Sequence, residues 1–568
     1  MSYGAGTPII RPGLRVSRLI PMAVLAVIAV ILATFILYPM SRVVIGSFED
    51  DVSHWTLANY QRVFTPYYLG VMGTTLLYAI ATVAVALAMA VPMAWLVART
   101  DMPAKGFLRA CILVTFVLPP LFHAMAFVFL FQPRAGLVNT WLDAWIGVRP
   151  FNIYSLFGMV IVTAFGLFPQ GFLLIDTALR GIDPSLEEAA VVAGARQSQI
   201  LWRVVLPLVL PAILSSVILG VIEVLAVFGP PAVIGIPAKI YVMSTQLFIE
   251  LSGSPPRIEF CAALSMLFLT VATTLLVVQD RLLRRRSFAT ITGKGFQPRQ
   301  VRLGAWRRPA FGFCLLIVTV GLIVPALVLA VISISRVWTA GFTPGNLTLD
   351  FYRSALMGQE RTLQSLTNTL LLSTSTVVGT LACGLPIAWI VTRRGGWTAL
   401  AVRFVTYLPF SIPAIVFTVG IILAFIQPPL VLYGSLSIVA ACYFGRFLPL
   451  AVQPLSDALR QIDVSLMEAA RVVGSGMART TAKITLPLLK YSVLSTSMLV
   501  FVACAREIVS IALLYSPGTE TLMMTAMLLW DEGQVQITAA LVMCILGLVA
   551  AFYAVARVAA VSRTNLMT

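Results

Sequence analysis

Charge is what this 568-residue sequence has least of: 11% of its residues are Asp, Glu, Lys or Arg, against 59% hydrophobic, and its mean hydropathy is +0.96. Soluble domains carry about 25% charged and about 45–50% apolar residues. So little polar surface excludes a water-soluble globule. Histidine is nearly missing as well; His54 and His123 are too few for a histidine-based metal site. The seven cysteines (Cys111, Cys261, Cys314, Cys383, Cys442, Cys504 and Cys544) lie in or beside apolar runs. None forms C-x-x-C or sits near a histidine, so they read as small packing residues rather than disulfide partners or metal ligands. No G-x-x-x-x-G-K-[ST] occurs and Gly293-Lys294 stands alone, which excludes nucleotide hydrolysis by the usual phosphate-cradling loop. No nucleophile, base and metal ligand cluster together either, so the chain reads as a non-enzyme.

What the chain has in abundance is apolar runs of about 20 residues, the length a helix needs to cross a bilayer. They predict helices near 20–46, 70–98, 107–132, 153–176, 205–229 and 257–280, then near 310–335, 366–392, 400–426, 431–453, 489–514 and 534–557. The fold class expected is an all-α polytopic membrane protein of about twelve spans. Arg11, Arg15 and Arg18 before the first run place the N-terminus in the cytoplasm by the positive-inside rule. That run is too long for a cleaved signal peptide and no A-x-A site closes it. Glu49, Asp50 and Asp51 suit the outer side; Arg99, Lys105 and Arg109 mark the cytoplasm again. A linker near 281–309 carries nine basic residues (Arg281, Arg284, Arg285, Arg286, Lys294, Arg299, Arg302, Arg307 and Arg308) and no acid. Arg393, Arg394 and Arg403 continue the pattern, and Arg557 and Arg563 place the C-terminal end inside. The net charge of +17 is thus an orientation signal scattered through short loops, not a nucleic-acid patch.

The chain repeats itself. Asp183/Asp463, Glu188/Glu468, Gly194/Gly474 and Pro207/Pro487 all keep one offset, 468 − 188 = 280, while Pro92–Arg99 answers Pro386–Arg393 at 393 − 99 = 294. The 14-residue difference falls in the outer loop around Gln132–Ser155. Six spans per copy give both copies the same sense in the membrane, a parallel six-plus-six repeat. The domains read as 1–280 and 310–568, joined by the linker 281–309.

Each copy carries one polar cassette after its fourth span, over 183–207 and 463–487. Ser185-Leu186-Glu187-Glu188 and Ser465-Leu466-Met467-Glu468 fit the S-x-x-E capping box. Ala189, Ala190, Ala469 and Ala470 permit close approach, and Gly194 and Gly474 permit a left-handed turn. Pro207 and Pro487 predict the start of the next span. Two further residues stand out because ionised groups in a span are costly: Glu223 and Glu507, at 507 − 223 = 284, the latter beside Arg506. Arg446 is a candidate partner for either glutamate, and His123 and Gln170 read as packing polars.

The doubled E-A-A, glycine, then I/V-x-L-P pattern resembles the EAA loop of ABC importer permeases, over essentially the whole length, as two fused type I transmembrane domains. The resemblance is to the ferric-iron type, with thiamine, polyamine and phosphonate permeases as relatives. It implies that Glu188, Ala189, Ala190, Gly194 and Pro207, with Glu468, Ala469, Ala470, Gly474 and Pro487, couple to two copies of an ABC ATPase subunit. ATP and Mg would be bound by that subunit, with no cofactor in this chain. It implies also a periplasmic or lipoprotein solute-binding protein and a place in the bacterial inner membrane. Glu223, Arg506 and Glu507 are the candidates for the translocation path. A twelve-span secondary transporter driven by an ion gradient shares the repeat, with Glu223 and Glu507 as proton carriers, but does not explain the doubled cassette.

Overall fold

The computed structural model describes residues 22–284, 300–339, 343–358 and 360–561. The basic residues Arg11, Arg15, Arg18, Arg285, Arg286, Lys294, Arg299 and Arg563 lie outside the described residues. Among the described residues the chain is helical throughout, with isolated bridges in place of strands. Among the described residues nine helices are long and apolar enough to cross a bilayer. They are Met22–Gly46, Pro66–Arg99, Leu156–Arg180, Gln197–Ala226 and Ile258–Leu275, then Gly304–Ser333, Glu360–Arg394, Leu436–Gln461 and Thr481–Ala505. The twelfth expected position is held by the helix Val535–Val561.

The remaining two expected spans, near 107–132 and 400–426, are not straight. Lys105–Phe116 and Pro120–Phe131 meet at 98°, and Gly396–Ser411 and Ala414–Phe425 at 109°. Proline explains both bends. Pro119-Pro120 removes two successive N–H donors and holds Pro119 extended, and Pro413 is extended in the same way. Each second arm is 12 residues, about 18 Å at 1.5 Å per residue, too short to cross. Each is buried along nearly its whole length, Leu121 to Leu130 and Ala414 to Phe425. Apolarity alone does not distinguish a helix that crosses from one that stops in the core.

These arms are where the halves interlock. Tyr38–Gly46, in the first span, packs on Ala414–Phe425 of the second half as well as on Ile258–Arg284 of its own. Val324–Ser333, in the seventh span, packs on Pro120–Phe131 of the first half and on Val535–Val561. Each half thus lends its first span to the other. At the cytoplasmic end of Pro66–Arg99 the halves are also stitched by backbone: Val301 N donates to Arg99 O at 2.7 Å and Asp101 N to Val301 O at 3.1 Å. Leu303 N donates to Asp101 Oδ1 at 2.9 Å.

Four spans share a device that the sequence does not announce. The wide turns Ala33–Leu37, Leu201–Val205, Thr319–Ile323 and Thr481–Thr485 are π-helical, and each ends two residues before a proline: Pro39, Pro207, Pro325 and Pro487. A proline ring clashes with the carbonyl four residues back and cannot donate to it. A single wide turn moves that carbonyl aside and lets the helix run on. Pro207 and Pro487 therefore lie inside continuous helices; they do not begin spans.

One such carbonyl is read by the opposite half. Pro325 leaves Gly321 O without its usual donor, and His123 Nε2 donates to it at 2.8 Å from Pro120–Phe131. His123 is fully buried, so this bond replaces a hydration the bilayer cannot supply. His123→Leu should lower stability by about 1–3 kcal/mol, the penalty for orphaning a buried polar group. His123→Gln, which keeps a donor, should restore most of it, as read by thermal unfolding in detergent.

Candidate functional site

The first cassette is a helix, Pro184–Val192, a turn at Ala193-Gly194, and a second helix that begins at Gln197. The second repeats it with Val464–Val472, Gly474 and Met477–Thr480. The capping differs from the S-x-x-E expectation. Asp183 is the N-cap, its carboxylate accepting from Ser185 N at 2.9 Å, and Asp463 accepts from Ser465 N at 2.9 Å. The first helical position is Pro184 in one copy and Val464 in the other, and in both the aspartate one residue earlier is the cap. Glu188 and Glu468 are left exposed, free of a capping role. The two bonds from Ser465 hold the Asp463 carboxyl below its ordinary value. The glycines do as expected. Gly194 and Gly474 have φ of +80° and +75°, and Ala195 N to Ala190 O (3.0 Å) and Ser475 N to Ala470 O (2.9 Å) close the helix ends.

Burial divides each cassette into two faces. Glu187 and Ala190, three apart, face the bundle, as do Met467 and Ala470; Glu188, Ala189, Glu468 and Ala469 face out. Only one alanine of each pair is therefore on the outer face. The inner face carries the anchor that sequence reasoning missed. Glu187 forms an ion pair with Arg99, at the end of Pro66–Arg99, and both side chains are at most 3% exposed. In the second half Met467 stands at the place of Glu187, and Arg393, the counterpart of Arg99, turns to the end of Leu436–Gln461. It donates to Leu459 O at 2.6 Å and Ile462 O at 2.5 Å. The spacing of Glu187 and Ala190 on one helical face was the available signal.

Beyond its anchor each cassette runs without a break into the membrane. Gln197–Ala226 is one helix through its π turn, and Met477–Thr480 continues directly into Thr481–Ala505. At about 1.5 Å per residue, the 26 residues from Gln197 to Glu223 span about 39 Å. Glu223 thus sits near the far end of a rod whose near end is the cassette.

The intramembrane charges fall into two unequal sets. Glu507 is tied within its own half. Its carboxylate accepts from Arg446 at 2.5 Å and from Ser510 N at 2.9 Å. Arg446 also donates to Ser510 Oγ at 2.9 Å, which Thr418 reaches at 3.2 Å. Arg446 is therefore the partner of Glu507, not of Glu223, and this cluster joins three elements of the second half. Arg506 points the other way. It donates to Phe116 O in the first half at 3.0 Å, and its guanidinium lies 5.8 Å from the Phe116 ring centre. The Arg506 charge also attracts Glu223. Phe116 and Arg506 thus form a cross-half contact beside Glu223, with Glu507 behind it. Among the described residues no group of three or more His, Cys, Asp or Glu could hold a metal ion.

With this geometry in hand, comparison with known proteins is direct. The family described as "Binding-protein-dependent transport system inner membrane component" matches residues 90–287 and again 384–562. A ferric transport system permease protein, FbpB, of Actinobacillus pleuropneumoniae is 29% identical over 419 residues, 71% of this chain and 58% of that relative. A putative ferric transport system permease protein, FbpB 1, of Haemophilus influenzae is 27% identical over 513 residues, 88% of this chain and 78% of its own. A putative 2-aminoethylphosphonate transport system permease protein, PhnV, of Salmonella typhimurium is 29% identical over 219 residues, 38% of this chain and 81% of its own. The match thus reaches less than two thirds of the first of these relatives.

The buried anchor yields its own test. Glu187→Ala leaves the Arg99 charge buried without its carboxylate, a loss of about 3–5 kcal/mol. Removing both charges with Arg99→Met and Glu187→Met should recover most of that stability, because no charge is then stranded. Unfolding temperatures of the single and double variants in detergent check the ordering.

Proposed function

The chain belongs to the family of inner-membrane components of binding-protein-dependent transport systems, carrying that domain twice, and we propose that it moves ferric iron inward as the permease of an ATP-driven importer. The observation that carries the reading is the pair of capped, glycine-ended cassettes. Each has one face seated on the bundle and one face free, and each is continuous with the fifth span of its half. Two such faces, related by the repeat, suit a partner with two equivalent grooves, so one chain recruits two copies of a separate ABC ATPase subunit. ATP and Mg belong to that subunit. A solute-binding protein outside the membrane delivers the cargo, and both ends of the chain lie in the cytoplasm. Iron as the cargo is supported by the names of the two relatives that share most of this chain's length.

In this mechanism, ATP-driven closure of the ATPase pair draws the two cassettes together. The fifth spans follow because the second helix of each cassette is continuous with them, so only the Gly194 or Gly474 turn lies between the free face and the rod. Their far ends carry Glu223 and the Arg506–Glu507 pair, so closure at the cytoplasmic face becomes movement at the intramembrane group. This is coupling between distinct sites through a two-state rearrangement.

Two measurements test the reading. Native mass spectrometry of the complex extracted in detergent should find two ATPase subunits per chain; one or none overturns the stoichiometry. Uptake of radiolabelled ferric iron into a deletion strain should be restored by the wild-type chain and lost with Gly194→Val or Gly474→Val. A side chain there meets open space, so its penalty is purely the left-handed backbone that valine resists. Restoration of 2-aminoethylphosphonate uptake in place of iron would reassign the cargo and leave the importer standing.

A further inference from the structure

Three places among the described residues carry polar bonds between the halves: the backbone stitch at residues 99–101 and 301–303, His123 to Gly321 O, and Arg506 to Phe116 O. The second also joins helices that pack on each other, Pro120–Phe131 and Val324–Ser333. The third does not. Arg506 sits where Thr481–Ala505 has ended and Val509–Leu514 has yet to begin, and Phe116 sits at the elbow of a broken span. Both ends of the bond are thus at joints.

The acceptor is built for the purpose. Phe116 O has proline at both positions that could donate to it within a helix, Pro119 and Pro120, so its carbonyl must find a donor elsewhere. Arg506 supplies one and covers the Phe116 ring as well. On its other side Glu223 attracts the same guanidinium. The arrangement has no copy in the other half, where Ile222 stands at the place of Arg506 (506 − 284 = 222). Glu507, the adjacent carboxylate, is bonded by Arg446 and the Ser510 backbone, and the bond Arg506 makes goes to the other half.

We infer that Arg506 is the latch of a gate in the path: a cation that crosses between the halves and holds them shut by bonding the Phe116 carbonyl beside Glu223. The inference rests on the permease reading above and adds the residue that keeps the path closed at rest. Phe116 lies 11 residues, about 16 Å, along its helix from Lys105 at the cytoplasmic end, which puts the latch near the middle of the bilayer. Release needs only a small separation of the two joints, since one charge-assisted bond is the polar contact that bridges them. When the latch opens, the Phe116 carbonyl is uncovered near the exposed Glu223 carboxylate, two oxygen acceptors facing the path.

The test uses the full chain in spheroplasts. Ser216→Cys places a thiol two turns below Glu223, in a small cavity it shares with Gln170 and Gly220. A membrane-impermeant thiol reagent added outside should label it slowly. Adding Arg506→Gln should speed labelling roughly tenfold, the shift expected when one charge-assisted bond is lost. Arg506→Lys, which keeps a charged donor, should return the rate close to the parent, a rescue that loss of packing would not produce. Glu223→Gln should give a smaller acceleration that does not add to that of Arg506→Gln. Unchanged labelling in Arg506→Gln, with the protein inserted at normal level, overturns the latch. The readout needs neither ATP nor a partner, so failure to recover an ATPase subunit would count against the importer reading alone.

Discussion

A carbonyl without a donor in the hydrocarbon layer is the constraint on which this structure turns. Proline creates such carbonyls and the bilayer offers no water to satisfy them. The protein answers in three ways. At Pro39, Pro207, Pro325 and Pro487 a wide π turn lets the helix continue past the clash. At Pro119-Pro120 and Pro413 the helix gives up and turns through about a right angle, and its second arm is buried in the core. At Gly321 and Phe116 a side chain from the other half supplies the missing donor. The prolines therefore decide which helices cross, which stop, and where the halves bind each other.

The two halves share a plan but not their chemistry. At the position of His123 the second half has Phe417 (123 + 294 = 417), whose ring lies against Gly445 beside the carbonyl of Phe35. Glu187 with Arg99 in one half becomes Met467 with Arg393 bound to carbonyls in the other. Arg506 has only Ile222 as its counterpart. In each case the geometry is kept and the polar partner is present in a single half.

Much of this was legible in the sequence, because its signals are local. Apolar runs located the spans, the offsets of 280 and 294 exposed the repeat, and glycines 194 and 474 marked left-handed turns that the backbone adopts. What stayed hidden depends on neighbours distant in the chain. The buried arms Pro120–Phe131 and Ala414–Phe425 are as apolar as true spans, and only their proline joints hinted at the bend. The capping box misled because S-x-x-E was present while the aspartate two residues before each serine, Asp183 or Asp463, accepts the capping bond. Glu507 and Glu223 looked alike at offset 284. Their roles part only because Arg446, 61 residues away, reaches the first and leaves Arg506 to face the second.

The exchange of first spans also bears on how the chain is made. Tyr38–Gly46 packs on Ala414–Phe425, yet 414 − 46 = 368 residues separate them in order of synthesis. At about 5–20 residues per second, the first span spends roughly 20–70 s in the membrane before its partner is made. Its N-terminal stretch is largely lipid-facing and can wait there at no penalty, but the Phe35 carbonyl freed by Pro39 cannot be covered until Gly445 arrives later still. The oldest part of the nascent protein is thus among the last to be completed.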